Sequence, residues 1–122
     1  MKILVVEDDH SVRETMGMVL DYLHHESQLV TEGNQALRSL EEVWPDLMVL
    51  DLTLPGMSGE EIFAEVRRRF GRTPPTIVMT AATQGQQRAA QMQGAYFLAK
   101  PYTLEQLEAK IQEVLHSLKA AA

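Results

Sequence analysis

Four places along the chain carry side chains that could act together on a charged group. Glu7, Asp8 and Asp9 are consecutive acids, Asp51 closes an apolar run, Thr80 closes another, and Lys100 stands before Pro101. Carboxylates brought together repel one another and raise each other's pKa unless a cation joins them. Glu7, Asp8 and Asp51 offer hard oxygen donors with no nitrogen or sulfur at hand, which favours Mg²⁺, with Mn²⁺ as a substitute. A divalent cation beside a carboxylate, an ammonium and a hydroxyl is a set suited to phosphoryl groups. The cations neutralise non-bridging oxygens, the hydroxyl donates a hydrogen bond, and a carboxylate can be the nucleophile.

Residues so far apart in sequence meet only if the fold aligns the ends of several elements. Ile3-Leu4-Val5-Val6, Leu47-Met48-Val49-Leu50, Thr76-Ile77-Val78-Met79 and Tyr96-Phe97-Leu98-Ala99 are each about one strand long. They are apolar on consecutive positions, the pattern of strands buried on both faces of a parallel sheet. Gln28-Leu29-Val30-Thr31 is more polar and suits an edge strand. Helical spacing lies between the runs: Val12, Met16, Val19, Leu20 and Leu23; Ala36, Leu37, Leu40 and Val43, stopped by Pro45; and Ile62, Phe63, Val66 and Phe70, ended by Gly71 and Pro74-Pro75. A fourth helix over 84–93 is poor in apolar residues. A fifth carries Leu104, Leu107, Ile111, Leu115 and Leu118 behind a Thr103/Gln106 capping box. Five β-α units predict a doubly wound α/β domain. In such a sheet the carboxyl ends of the strands lie along one edge, where ligands bind. Glu7, Asp8, Asp51, Thr80 and Lys100 are all placed there.

The composition agrees with one soluble domain. The 122 residues are 45% hydrophobic and 23% charged, and 17 acids against 11 bases give a net charge of −6. That balance argues against a nucleic-acid surface and a basic membrane patch. The absence of cysteine excludes disulfides, thiol catalysis and thiolate metal sites and suits a cytoplasmic location. No apolar run is long enough to span a membrane, and the N-terminal one is too short for a signal peptide.

The stretches ILVVEDD (3–9), LMVLDLTLPGMSG (47–59), IVMTAA (77–82) and GAYFLAKP (94–101), in this order, resemble a response-regulator receiver domain of two-component signalling. The resemblance covers essentially the whole chain. It implies a flavodoxin-like, doubly wound five-stranded parallel sheet of order 2-1-3-4-5 with five helices, forming a single receiver domain over 1–122 with a frayed tail at 119–122. It implies that Asp51 is the phosphoacceptor, that Asp8 and Asp51 hold Mg²⁺ directly, that Glu7 does so through water, and that the Thr53 backbone carbonyl completes the protein ligands. Thr80 matches the switch hydroxyl, Lys100 the family's lysine and Ala81 a backbone contact to the phosphoryl group. The Lys100–Pro101 bond is expected to be cis, a form accessible before proline.

By the same resemblance, a sensor histidine kinase or phosphotransfer protein donates the phosphoryl group. Thr80 then moves toward it, Phe97 turns inward, and the face of the fourth helix, fifth strand and fifth helix changes for a downstream protein or a second copy. The only reaction expected is autocatalytic, on Asp51 itself, with no enzyme activity on a separate substrate. Thr53 and Ala82 fall at positions that influence dephosphorylation, and the small Ala82 would leave a water path open. Phe97 replaces the more usual Tyr, Tyr96 stands where acids are common, and the Thr80-to-Lys100 interval is short for the family.

Two rival readings are open to the same residues. A phosphatase of the haloacid-dehalogenase type also uses a strand-end Asp and Mg²⁺, but it needs a second Asp where Thr53 stands, and there is no cap insertion. A receiver fold serving as a binding module without phosphorylation would not need the intact set of acids, Thr80 and Lys100. Elsewhere, Arg67-Arg68-Arg69 and Arg72 suit the end of the third helix, as His24-His25 suit the end of the first. His10 reads as a surface residue at a helix start, Trp44 as cover for the second helix, and Gly56 and Gly59 as turn residues.

Overall fold

Two-sided burial makes three of the five strands. In the computed structural model, which describes residues 1–81 and 85–121, β3 (Leu47–Asp51) and β4 (Thr76–Thr80) are buried at every position, and β1 (Lys2–Val6) at all but its first. β2 (Glu26–Val30) is exposed over its first three residues, and β5 (Ala95–Ala99) is only partly buried. The strands pair in parallel in the order β2-β1-β3-β4-β5. This is the predicted 2-1-3-4-5 sheet, with β2 and β5 at its edges.

Helices α1 (His10–Tyr22) and α5 (Leu104–Ala121) cover one face. Met16, Leu20, Leu107, Ile111 and Val114 pack there on Ile3, Val5, Val49, Ile77 and Met79. Helices α2 (Gly33–Glu42), α3 (Gly59–Phe70) and α4 (Gly85–Ala90) cover the other. Leu37, Leu40, Ile62, Phe63 and Ala89 meet Leu4, Val6, Met48, Leu50 and Val78. Alternate residues of each strand feed opposite cores, and each buried Leu, Ile or Phe stabilises the fold by roughly 1.5–3 kcal/mol. No helix among the described residues is long and apolar enough to cross a membrane.

Local chemistry sets the element ends. Asp9 caps α1 by accepting from the Val12 amide at 2.9 Å. Ser58 and Glu61 form a reciprocal capping box at α3, whose other end closes on Gly71 in the left-handed region. Thr103 and Gln106 form the predicted box at α5. The arginines at the end of α3 all have partners: Arg68 and Arg69 pair with Glu65, Arg67 lies over Phe63 and donates to the Gln93 carbonyl, and Arg72, two residues past the helix, stacks on Trp44. Trp44 in turn meets Phe70 edge-on, tying the ends of α2 and α3.

Two helix limits differ from the sequence expectation. Among the described residues α4 is Gly85–Ala90 and stops short of 93; Gln91 and Met92 amides reach back only three residues, to Arg88 and Ala89, and Gly94 at φ +88° then turns the chain into β5. α5 runs through Ala121, and position 122 of the expected tail lies outside the described residues. Gly59 opens α3 instead of sitting in a turn. A Cβ there would lie 2.6 Å from the Asp51 carbonyl oxygen and 2.7 Å from Leu52 Cα, so close approach of backbones demands glycine. Gly59→Ala is therefore expected to lower unfolding stability by about 2 kcal/mol, measured by urea titration. A change under about 0.5 kcal/mol would show that the β3–α3 connection yields freely.

Candidate functional site

The carboxyl edge of the sheet collects the residues singled out above. Main-chain bonds carry the strand alignment one step past the strands: Glu7 N to Val30 O at 3.1 Å, Leu52 N to Met79 O at 3.0 Å, and Lys100 N to Thr80 O at 3.1 Å. Thr80 pairs in register with Ala99 and Asp51 with Met79. Lys100 is thereby delivered beside the acids. Its Nζ donates to Glu7 Oε1 at 2.6 Å and to Asp51 Oδ2 at 3.0 Å.

The remaining contacts fix the carboxylates. The Thr53 amide donates to Asp51 Oδ1 at 2.9 Å, and the Thr53 and Thr80 hydroxyls lie 3.5 Å apart. The Asp9 amide donates to Glu7 Oε2 at 3.3 Å. Arg13 reaches back from α1 to the Glu7 and Asp8 carbonyls at 3.0 and 3.2 Å, pinning the loop after β1. Glu7, Asp51 and Thr80 are buried, Asp8 is exposed, and Lys100 is partly exposed. Ala81 follows β4 and shares an open cleft with Ser11, Val12, Lys100 and Tyr102. The Lys100–Pro101 bond is cis.

Phe97 is half-buried against the α2–α3–α4 core, its ring edge beside Gly85. Ala82, expected to border a water path, lies outside the described residues. His10 is exposed and pairs with Glu14 on the surface. β3 connects to α3 through the short segment 52–58, with no cap insertion. The sequence did not single out Arg13, or Arg88 and Glu60, which pair across 28 positions next to the site. A residue acting through a backbone carbonyl or a distant helix leaves no local spacing to read.

Two carboxylates and one ammonium leave the pocket short of positive charge. One carboxylate oxygen from each of Glu7, Asp8 and Asp51 falls within 4.8 Å of the others. Burial pushes the Glu7 carboxyl up to about 7 from 4.5; the Lys100 hydrogen bond opposes this, and the hydrogen bond and charge of Asp51 add to it. Burial pulls Lys100 down, but its bonds to Glu7 and Asp51 outweigh that and leave it raised. An all-oxygen anionic donor set of this kind fits a hard divalent cation.

Between pH 4.5 and 7 the folded chain holds a proton on Glu7 that the unfolded chain has released. Without divalent cations, unfolding stability should fall as pH rises through that window, by at most about 3 kcal/mol, and level off above it. Urea titrations in EDTA from pH 4.5 to 8.5 measure this. Glu7→Gln should flatten the slope, and an equal slope in that variant would place the titration elsewhere.

The comparisons agree with this geometry. The family model for the response regulator receiver domain matches residues 3–112. Response regulator MprA of Mycobacterium leprae (strain TN) is 33% identical over 121 residues, covering 98% of this chain and 53% of that protein. The chain thus spans about half the length of the curated relatives it matches. Among solved structures, the receiver domain of the sensor histidine kinase PA1611 from Pseudomonas aeruginosa PAO1 has a magnesium ion coordinated in its active site cleft. It is 32% identical, with a TM-score of 0.84 over 94% of this chain and 97% of that one. The chemotaxis protein CheY4 of Vibrio cholerae is 26% identical, with a TM-score of 0.83 over 93% of this chain and 97% of that one. With the sheet order, the acidic edge and these matches together, the chain belongs to the receiver domain family of two-component response regulators.

Proposed function

We propose that this receiver domain is a phosphoacceptor switch, in which the Asp51 carboxylate takes a phosphoryl group from the phosphohistidine of a sensor histidine kinase or phosphotransfer protein. The observation that carries this is the Asp51 carboxylate held between the Thr53 amide and the Lys100 ammonium, with Glu7 and Asp8 alongside. An Asp51 oxygen forms the new P–O bond as the P–N bond breaks, and the imidazole leaves with the bonding pair and takes a proton. Asp8 and Asp51 directly, Glu7 through water and the Thr53 carbonyl would hold Mg²⁺, or Mn²⁺ in its place. When bound, that cation offsets the charge of the phosphoryl oxygens as they meet the carboxylate.

Lys100 supplies a second cation to the same oxygens. Thr80, whose hydroxyl lies 3.5 Å from that of Thr53, donates its hydroxyl to the product, with the Ala81 amide beside it. Phe97 follows Thr80, because both pack on Gly85. The change reaches the α4–β5–α5 face, where a downstream protein or a second copy reads it. The domain acts only on its own Asp51, in the cytoplasm. Incubation with acetyl phosphate and Mg²⁺, followed by intact mass, should show one added phosphoryl group, absent when EDTA is included. A folded chain that gains nothing would overturn the proposal.

A further inference from the structure

Helix α4 is six residues long and is gripped at both ends. At its first residue, a Cβ on Gly85 would collide with Thr80 Cγ2 and come 3.1 Å from the Phe97 ring. The helix therefore starts in direct contact with the two side chains assigned to the switch. One turn later Arg88 holds Glu60 of α3 with a two-pronged contact, Nε to Oε2 at 2.6 Å and a terminal nitrogen to Oε1 at 2.7 Å. The same terminal nitrogen lies 3.4 Å from the carbonyl oxygen of Leu52, the residue after Asp51. That oxygen also accepts the Gly59 amide at the start of α3. The pair is only about one-third exposed, with side-chain exposures of 31% and 34%. Planar two-point contacts of this kind are strong and direction-dependent, so displacement of α4 along or away from α3 lengthens both.

We propose that the Arg88–Glu60 pair is a clamp that holds α4 in its unphosphorylated position and sets how readily the phosphoryl signal moves it. The inference rests on the switch reading above and adds the restraint that opposes it. Thr80 and Phe97 act on the Gly85 end, and the clamp resists at the Arg88 end. An interaction made in one arrangement and lost in the other shifts the equilibrium by its differential strength. Removing it should favour the phosphorylated arrangement.

The test is the affinity for beryllofluoride, a phosphoryl mimic, in the presence of Mg²⁺, read by fluorine NMR, with thermal unfolding followed in parallel. Glu60→Gln and Arg88→Gln should each tighten binding threefold to tenfold. The double variant should gain no more than the stronger single one, because both remove the same interaction. Arg88→Lys, which keeps the charge but not the two-point geometry, should fall between wild type and Arg88→Gln. A merely structural role would weaken binding as stability falls, the opposite sign. If the wild-type chain binds beryllofluoride and the variants bind equally or more weakly, or the single effects add, the clamp is wrong. If the folded wild-type chain binds none, the switch reading itself fails.

Discussion

Asp51→Asn leaves the chain folded, more stable, and unable to accept a phosphoryl group. The loss is expected to be complete, because Asp51 is the carboxylate between the Thr53 amide and Lys100, and the amide that replaces it is not a nucleophile. The gain in stability has a separate cause. The hydrogen bond and charge of Asp51 both help to raise Glu7, so removing that charge leaves Glu7 alone with the Lys100 ammonium. At pH 8 without divalent cations the unfolding free energy should rise by about 1 kcal/mol. Intact mass after acetyl phosphate treatment and a urea titration measure the two effects. Residual phosphorylation, or a clear fall in stability, would show that Asp51 does not have the role or the surroundings described.

Lys100→Met has two effects of opposite sign. Phosphoryl acceptance from acetyl phosphate should slow on the order of a hundredfold, the scale for deleting one preorganised donor to a developing oxyanion. Mg²⁺ affinity at pH 8.5 should increase, because the ammonium already occupying Glu7 Oε1 and Asp51 Oδ2 no longer competes for those oxygens. Methionine fills a similar volume, so the cleft beside Ala81 and Tyr102 is kept. Rates by quantitative mass spectrometry and affinity by calorimetry separate the effects. Weaker Mg²⁺ binding in the variant would mean that Lys100 organises the acids for the cation instead of competing with it.

Most of the edge chemistry is legible in the sequence. The strands β1, β3 and β4 announce themselves as consecutive apolar residues because both their faces are covered. A parallel sheet then places whatever follows each strand on one edge, which is how Glu7 and Lys100, 93 positions apart, come within hydrogen-bond distance. The strand limits were less legible. Lys2, Asp51, Thr80 and Ala95 join the ladder through main-chain bonds that do not depend on apolar character. β2 begins at Glu26 with three exposed residues, so no burial pattern marks its start.

The switch side of the site was harder to foresee. The weak apolar face of the fourth helix was visible in the sequence, and its brevity agrees with that. What holds it, a glycine against Thr80 and an arginine on Glu60, depends on contacts across helices that no local spacing encodes. Gly59 misled for a related reason. Its type suggested a turn, whereas the approach of Leu52 requires it at the first position of a capped helix.

One carboxylate, that of Asp51, should receive the phosphoryl group. Borohydride reduces an acyl phosphate to an alcohol, converting a phosphorylated aspartate to homoserine at its own position. Chain treated with acetyl phosphate and Mg²⁺, reduced, digested and sequenced by tandem mass spectrometry should carry homoserine at position 51 and nowhere else. Homoserine at Asp8 or Asp9 with position 51 unmodified, or none in a folded chain, would contradict it.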